Sequence, residues 1–108
     1  MQPHFSNVFA MRLRLARKAK GLSQEKLGIL AGIDESSASA RMNQYERGKH
    51  VPDFLVASKI AEVLELPTAY FYVEDEVLAE ILRRSYSLDA EKQNRLLSFI
   101  QDLEKDKL

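Results

Sequence analysis

Residues 21–52 constrain the fold of this chain more than any other segment. The run GLSQEKLGILAGIDESSASARMNQYERGKHVP places Ser23 before a short amphipathic stretch, Gly32 after it, and Gly48 at the end of a second stretch. Serine caps a helix start, whereas glycine permits a sharp turn between helices and the left-handed backbone that ends one. The segment therefore predicts two short helices joined by a glycine turn and followed by a basic loop.

The rest of the chain also predicts helix throughout. Prolines occur only at positions 3, 52 and 67, all four glycines fall between residues 21 and 48, and β-branched runs are absent. The predicted helices run from about residue 6 or 7 to 20, 24 to 31, 34, 36 or 37 to 47, 53 to 66, 68 to 72, 75 to 85 and 89 to 105. Residues 6–73 hold the first five of them, and residues 74–108 form a C-terminal helical extension.

Net charge is zero over the whole chain but is unevenly distributed. Residues 1–56 hold nine Lys or Arg against five Asp or Glu, a net +4, and residues 57–108 hold seven against eleven, a net −4. A cationic half suits a protein that binds phosphates, although ordinary solvated surface could give the same count.

Composition argues against several classes of function. The chain has no cysteine for a disulfide, a thiolate nucleophile or a zinc site, and His4 and His50 lie far apart in sequence. No Gly-rich phosphate loop and no nucleophile with a plausible base is found. No apolar run approaches the roughly 18 residues of a membrane span, and the N-terminal residues lack a signal-peptide pattern. We expect a cytoplasmic protein that is not an enzyme, uses no cofactor or metal, and does not enter a membrane.

The segment resembles the helix-turn-helix of the lambda repressor and Cro type, found in the XRE family of bacterial and phage regulators. The resemblance rests on SQEKL at residues 23–27 and YERGK at residues 45–49, and it is strong from about Phe9 to Phe71. It implies an all-α, lambda-repressor-like five-helix DNA-binding domain with two additional C-terminal helices. In such domains the second helix of the motif presents side chains to base edges in the major groove.

The third predicted helix carries the candidate base-reading residues. Three of its side chains recur at helical spacing and are expected to face the core: Ala38, Met42 and Tyr45. Because Gln and Asn can pair with adenine and Arg with guanine, Arg41 and Gln44 are the best candidates for direct readout. The alternative to base reading is that this face of the helix is only solvated, or that Arg41 forms an ion pair with Asp34 or Glu35. The full candidate set is Ser39, Ala40, Arg41, Asn43 and Gln44.

The connection before this helix departs from the family pattern. The family advances about nine positions from the turn glycine to the tyrosine of the Tyr-Glu pair, whereas Gly32 and Tyr45 are thirteen apart. The extra residues equal about one helical turn. Either the helix is extended at its N-terminus, which would bring Ser36 and Ser37 toward the groove, or the connecting loop is longer. A longer loop would leave readout to Ser39, Ala40, Asn43 and Gln44.

Other positions match contacts that the family makes with the DNA backbone. Gln24 lies at a helix start, where the family uses a glutamine to contact phosphate; the plainer reading is a solvated helix start. The loop after the third helix adds cations and a histidine. The candidate phosphate-binding residues are Gln24, Ser37, Arg47, Lys49 and His50. Arg17 and Glu46 match a structural ion pair of phage repressors that joins the first and third helices.

The C-terminal extension is the candidate dimer interface. The first helix is apolar on a second side, which needs a second cover and carries Val8, Met11 or Arg12, Leu15 and Ala19. One face of the extension can pack there and another on a second subunit, or the last helix can fold back on its own chain. The candidate interface residues are Leu96, Leu97, Phe99, Ile100 and Leu103.

The sequence thus predicts a sequence-specific DNA-binding transcriptional regulator, most simply a repressor that binds a pseudo-palindromic operator in double-stranded DNA as a homodimer. The roughly 35 residues after Val73 are short for a small-molecule pocket, so no effector is expected. The alternative from a different class is a protein-interaction module, such as an antitoxin-type or adaptor protein, in which DNA binding is secondary or lost.

Overall fold

Helices account for all of the regular structure between residues 4 and 106. We analysed a computed structural model that describes these residues, with side chains from residue 7 to residue 106. The elements are α1 (His4–Ala19), α2 (Gln24–Leu30), α3 (Glu35–Glu46), α4 (Phe54–Leu64), a 3-10 helix (Thr68–Tyr72), α5 (Glu76–Tyr86) and α6 (Ala90–Lys105). The predicted all-α class is confirmed, and none of these helices is long and apolar enough to cross a membrane.

Helix starts lie where the sequence supplies a capping side chain. Four residues each accept a hydrogen bond from the backbone N–H three positions on, at 2.8–3.0 Å: Ser23, Asp53, Asp75 and Asp89. These bonds satisfy donors that have no partner inside the helix. The fifth predicted helix is a 3-10 helix that follows Pro67, a residue that cannot continue the preceding helix.

The residues that exceed the family spacing lengthen α3 and leave the turn short. Gly32 has a φ of 93°, a left-handed conformation that favours glycine, and Asp34 is already the N-cap of α3. Twelve residues make α3 about 18 Å long. Of the two arrangements open from the sequence, the extended helix is therefore the one adopted.

A close approach between α2 and α3 fixes their relative position. A methyl group added to Gly28 would lie 2.9 Å from the Cβ atom of Ala38 and 3.1 Å from its carbonyl oxygen. Both distances are inside normal contact, so a larger residue fits only if a helix moves. The two small residues thus set the distance between the helices of the motif.

The core lies between α1, α2, α3, α4 and the 3-10 helix. Its largest fully buried side chains are Phe9, Phe71, Leu13, Leu27, Met42 and Ile60. The Phe9 and Phe71 rings lie 5.0 Å apart, so the 3-10 helix closes the core onto α1. The apolar spacing of α2 predicts that Leu27, Leu30 and Ala31 face inward. Leu27 and Ala31 are buried, but the prediction is wrong for Leu30, which is 50% exposed. Because Leu27 and Gly28 carry the buried face of α2, its last residue is turned outward.

The second side of α1 is covered only along its first part. Arg12 is buried, and its guanidinium donates to the carbonyl oxygens of Val73 (3.0 Å) and Glu74 (3.1 Å) and pairs with Glu76 (3.2 Å). Further along α1, Leu15 is 52% exposed. Within the described residues α6 buries no side chain, so it does not supply the cover that a fold-back would give.

An ion pair between Arg17 and Glu46 joins α1 to the end of α3. The guanidinium donates to both carboxylate oxygens, at 2.5 and 3.0 Å, and to the carbonyl oxygen of Leu22 at 2.8 Å. Glu46 is only 3% exposed, so its carboxylate has lost contact with water and is stabilised by the Arg17 guanidinium instead. The fork geometry fixes both the position and the rotation of α3 on the domain.

Replacing Gly28 by alanine tests the contact between α2 and α3. We expect Gly28→Ala to lower the free energy of unfolding by about 1–3 kcal/mol, because the new methyl group overlaps Ala38. Urea denaturation measures the change. Adding Ala38→Gly removes the overlap, so the double variant should lose less stability than the two single variants summed. Additive losses would show that the two residues do not limit the approach.

Removing Arg17 tests the ion pair. Arg17→Met should lower the free energy of unfolding by about 3–5 kcal/mol, because it leaves the Glu46 carboxylate buried without its cation. The double variant Arg17→Met/Glu46→Met buries no charge there and should recover a large part of the loss in the same denaturation experiment. If the double variant lost as much free energy of unfolding as the two single variants added together, the coupling between Arg17 and Glu46 would be contradicted.

Candidate nucleic-acid interface

The outer surface of α3 is polar and accessible along its whole length. Ala38, Met42 and Tyr45 are buried as expected, so the opposite side faces solvent. Among the predicted base-reading residues, Ser39, Ala40, Arg41 and Gln44 are exposed and Asn43 is half-buried. The width of the major groove admits an α-helix, and small side chains allow close approach to base edges.

The middle of this surface is a line of residues at helical spacing. Ser36, Ala40 and Gln44 follow one another at intervals of four, and Arg47 follows three positions later, directly after the last residue of α3. The additional turn of α3 places Ser36 on this line. The hydroxyl and backbone N–H of Ser36 both donate to the Asp34 carboxylate, which lowers the pKa of Asp34 and keeps the N-cap ionised.

One flank of α3 faces the start of α2. The Gln24 amide donates to the Asn43 side-chain oxygen at 3.3 Å and to Glu46 Oε1 at 3.1 Å. Both amide hydrogens are therefore used inside the protein, and a bond from Gln24 to phosphate would take one of them away. This link adds the first turn of α2 to the ion pair of Arg17, which the sequence did not indicate.

The other flank of α3 carries Arg41. Its guanidinium donates to the Tyr45 hydroxyl at 2.8 Å and lies 5.9 Å from the centre of that ring. The sequence had offered Asp34 or Glu35 as partners for Arg41, but the residue one turn later along α3 holds it instead. An arginine carries five N–H donors, so the others are available to an acceptor outside the protein.

The loop after α3 gathers three of the predicted phosphate-binding residues. Gly48 has a φ of 73° and ends the helix, while the Lys49 N–H closes the turn on the Gln44 carbonyl oxygen at 3.0 Å. Arg47, Lys49 and His50 are all exposed. Ser37 stands apart from them, half-buried in the first turn of α3.

One basic residue near this loop was not predicted from the sequence. Arg14 on α1 is exposed, and it donates to the backbone carbonyl oxygen of Glu46 at 3.3 Å. It lies three positions before Arg17, so the same face of α1 carries both arginines toward the end of α3. The spacing of three residues from Arg17 could have indicated this position for Arg14. In the described part of the chain, no group of acidic and histidine side chains is placed to bind a metal ion.

Comparisons with known proteins agree with this arrangement. A family model described as helix-turn-helix matches residues 13–71, which is more than half of the chain. Among solved structures, the chain is similar to the transcriptional regulator BswR, with 45% sequence identity and a TM-score of 0.79. The similarity covers 86% of this chain and 92% of that one. Among curated proteins, none matches the chain.

The matched segment contains every part of the surface described above. It runs from Leu13 on α1 to Phe71 in the 3-10 helix, and so includes the ion pair, both helices of the motif and the basic loop. The similarity to BswR also extends beyond this segment, since it covers more of the chain than the family model does. The chain belongs to the XRE-type helix-turn-helix family of DNA-binding transcriptional regulators.

Proposed function

We propose that this regulator is a cytoplasmic repressor of bacterial or phage type, which binds a pseudo-palindromic operator as a homodimer. The observation that carries the proposal is the exposed line Ser36, Ala40, Gln44 and Arg47 on α3, held in place from behind by the ion pair of Glu46. A helix fixed in this way can enter the major groove without reorganising. Occupying the operator is sufficient for repression, since it denies the same DNA to other proteins.

Base reading falls to the middle of α3. Gln44 is exposed and has no internal bond from its side chain among those described for α3, so its amide can pair with an adenine through two hydrogen bonds. Ala40 leaves room for a thymine methyl group, and Ser39 and Asn43 border it on the side of α2. Arg41 can reach a guanine or a phosphate while Tyr45 supports it from behind.

Binding to the DNA backbone falls to residues at both ends of the motif. Arg47, Lys49 and His50 present their side chains beside the end of α3, where phosphates of the groove wall would lie. Gln24 and Ser37 are half-buried, so they can contribute only where the backbone comes close to the start of α2 or α3. These contacts orient the domain and are independent of sequence.

The homodimer is supported by the surface of α6. Its apolar residues Leu97, Phe99, Ile100 and Leu103 are 40–59% exposed, and Leu96 is half-buried. A single helix of sixteen residues is marginally stable in water unless its apolar face is covered. A second copy of the chain would cover these side chains and bring two α3 helices to half-sites about 34 Å apart.

Two alanine variants separate base reading from backbone binding. Gln44→Ala should remove about 1–3 kcal/mol of discrimination at one base pair of each half-site. Lys49→Ala should weaken binding to all duplexes alike and lower the slope of log K against log salt by about one for each subunit. Fluorescence anisotropy with matched and mismatched duplexes over a salt series measures both effects.

The control for charge alone is Lys105→Ala at the far end of α6, which should leave DNA affinity unchanged. If Gln44→Ala and Lys49→Ala had the same effect on matched and mismatched duplexes, the roles given to these residues would be wrong. No binding to any duplex at low salt would refute the operator-binding function and favour a protein-interaction module on the same fold.

A further inference from the structure

An apolar groove lies between the second half of α1 and the end of α5. It has a volume of about 510 Å³. Leu15 and Ala19 form the wall on α1, Leu66 and Tyr70 form the floor, and Lys20 and Arg83 stand at the rim. Within the described residues 4–106, no other helix covers this part of α1. The apolar side chains on the second side of α1 therefore face an open groove.

We propose that this groove receives α6 of a second copy of the chain. The inference rests on the proposed homodimer and adds to it the surface on which the partner helix lies. α6 has an apolar stripe whose members Leu96, Ile100 and Leu103 recur at intervals of four and three, and no residue of α6 is buried. The groove and the stripe are thus two apolar surfaces of one chain that lack a cover.

The two surfaces are similar in length. The stripe from Leu96 to Leu103 spans seven residues, or about 10 Å along the helix axis. The wall of the groove together with its rim, from Leu15 to Lys20, spans five residues, or about 8 Å. A helix of this kind would therefore lie along the groove and cover Leu15 and Ala19, which is the cover that the two-sided pattern of α1 requires.

Charge gives the helix a direction in the groove. Lys20 and Arg83 line the groove and pair with the carboxylates of Glu65 and Glu80. Arg84, beside the groove, shares the Glu80 carboxylate, so this cluster holds one more cation than carboxylates. The second half of α6 carries Asp102 and Glu104 against Lys105, a net −1, whereas its first half carries Lys92 and Arg95 against Glu91, a net +1. The acidic half therefore fits the basic rim, which would fix the orientation of the partner helix more than it adds affinity.

The same charges disfavour packing of α6 on its own chain. Three residues separate α5 from α6, and the Gln93 amide donates to the Ser85 carbonyl oxygen at 2.9 Å, so the first half of α6 stays near Arg83 and Arg84. A fold-back along α5 would then carry the acidic half of α6 to the acidic start of α5, at Asp75 and Glu76. A partner helix that lies with its acidic half at the basic rim avoids this contact between acidic residues.

Exchange of α6 between two chains would give a symmetric pair. Each chain donates its own α6 and offers its own groove, so every contact occurs twice about a two-fold axis. Because α1 also carries Arg17, the helix that binds the partner is the same helix that holds α3. The spacing between the two α3 helices would then be set through α1.

Charge reversal on each surface tests the inference in the full-length chain. The groove variant is Lys20→Glu/Arg83→Glu, and the arm variant is Asp102→Lys/Glu104→Lys. Sedimentation velocity should show dimers for the wild type. For each variant alone, the dissociation constant of the dimer should rise about tenfold or more. An equimolar mixture of the two variants should recover dimers, because each acquires a partner of opposite charge at both grooves.

The control is Arg47→Glu/Lys49→Glu, which makes the same change of charge in the DNA-binding loop and should leave self-association unchanged. A monomeric wild type would refute the homodimer and this inference together. A dimeric wild type in which the arm variant dissociates and the groove variant does not would refute the groove alone, because α6 would then pack elsewhere on the partner. Failure of the mixture to recover dimers would also contradict the proposed contact.

Discussion

The ion pair between Arg17 and Glu46 is the interaction on which the DNA-binding surface depends. It holds the end of α3 against α1, and Gln24 extends the same network to the start of α2. Glu46 is buried, so the network cannot be broken without leaving an unpaired charge in the protein. With Glu46 fixed, the rotation of α3 is fixed too, and the side opposite Met42 must face outward.

The length of α3 gives this chain its own version of the family surface. Asp34 caps the helix one turn earlier than the family spacing suggests, and Gly28 against Ala38 lets α2 and α3 pack closely beside that turn. The result is a longer exposed line that begins at Ser36. The bonds from Ser36 lower the pKa of Asp34, so the charged form of this cap persists to lower pH than that of an ordinary aspartate.

Much of this could be predicted from the sequence, because glycines, caps and apolar spacing act locally. Ser23, Gly32 and the buried face of α3 followed from such rules, and the ion pair followed from the family resemblance. The bond between Arg41 and Tyr45 and the burial of Arg12 did not, because they depend on which side chains the folded chain brings together. The sequence also did not decide whether the extra residues before Ala40 extend the helix or the loop, because apolar periodicity does not show which residue caps the helix.

Selection of bound sites from random duplex DNA tests the central claim most directly. If two extended α3 helices read DNA as a symmetric pair, the recovered sites should form an inverted repeat with half-site centres about 10 base pairs, or one helical turn, apart. Enrichment should also fall when Gln44 is replaced, at a defined position in each half-site. A pool without enrichment, or one enriched in single sites without symmetry, would contradict the account.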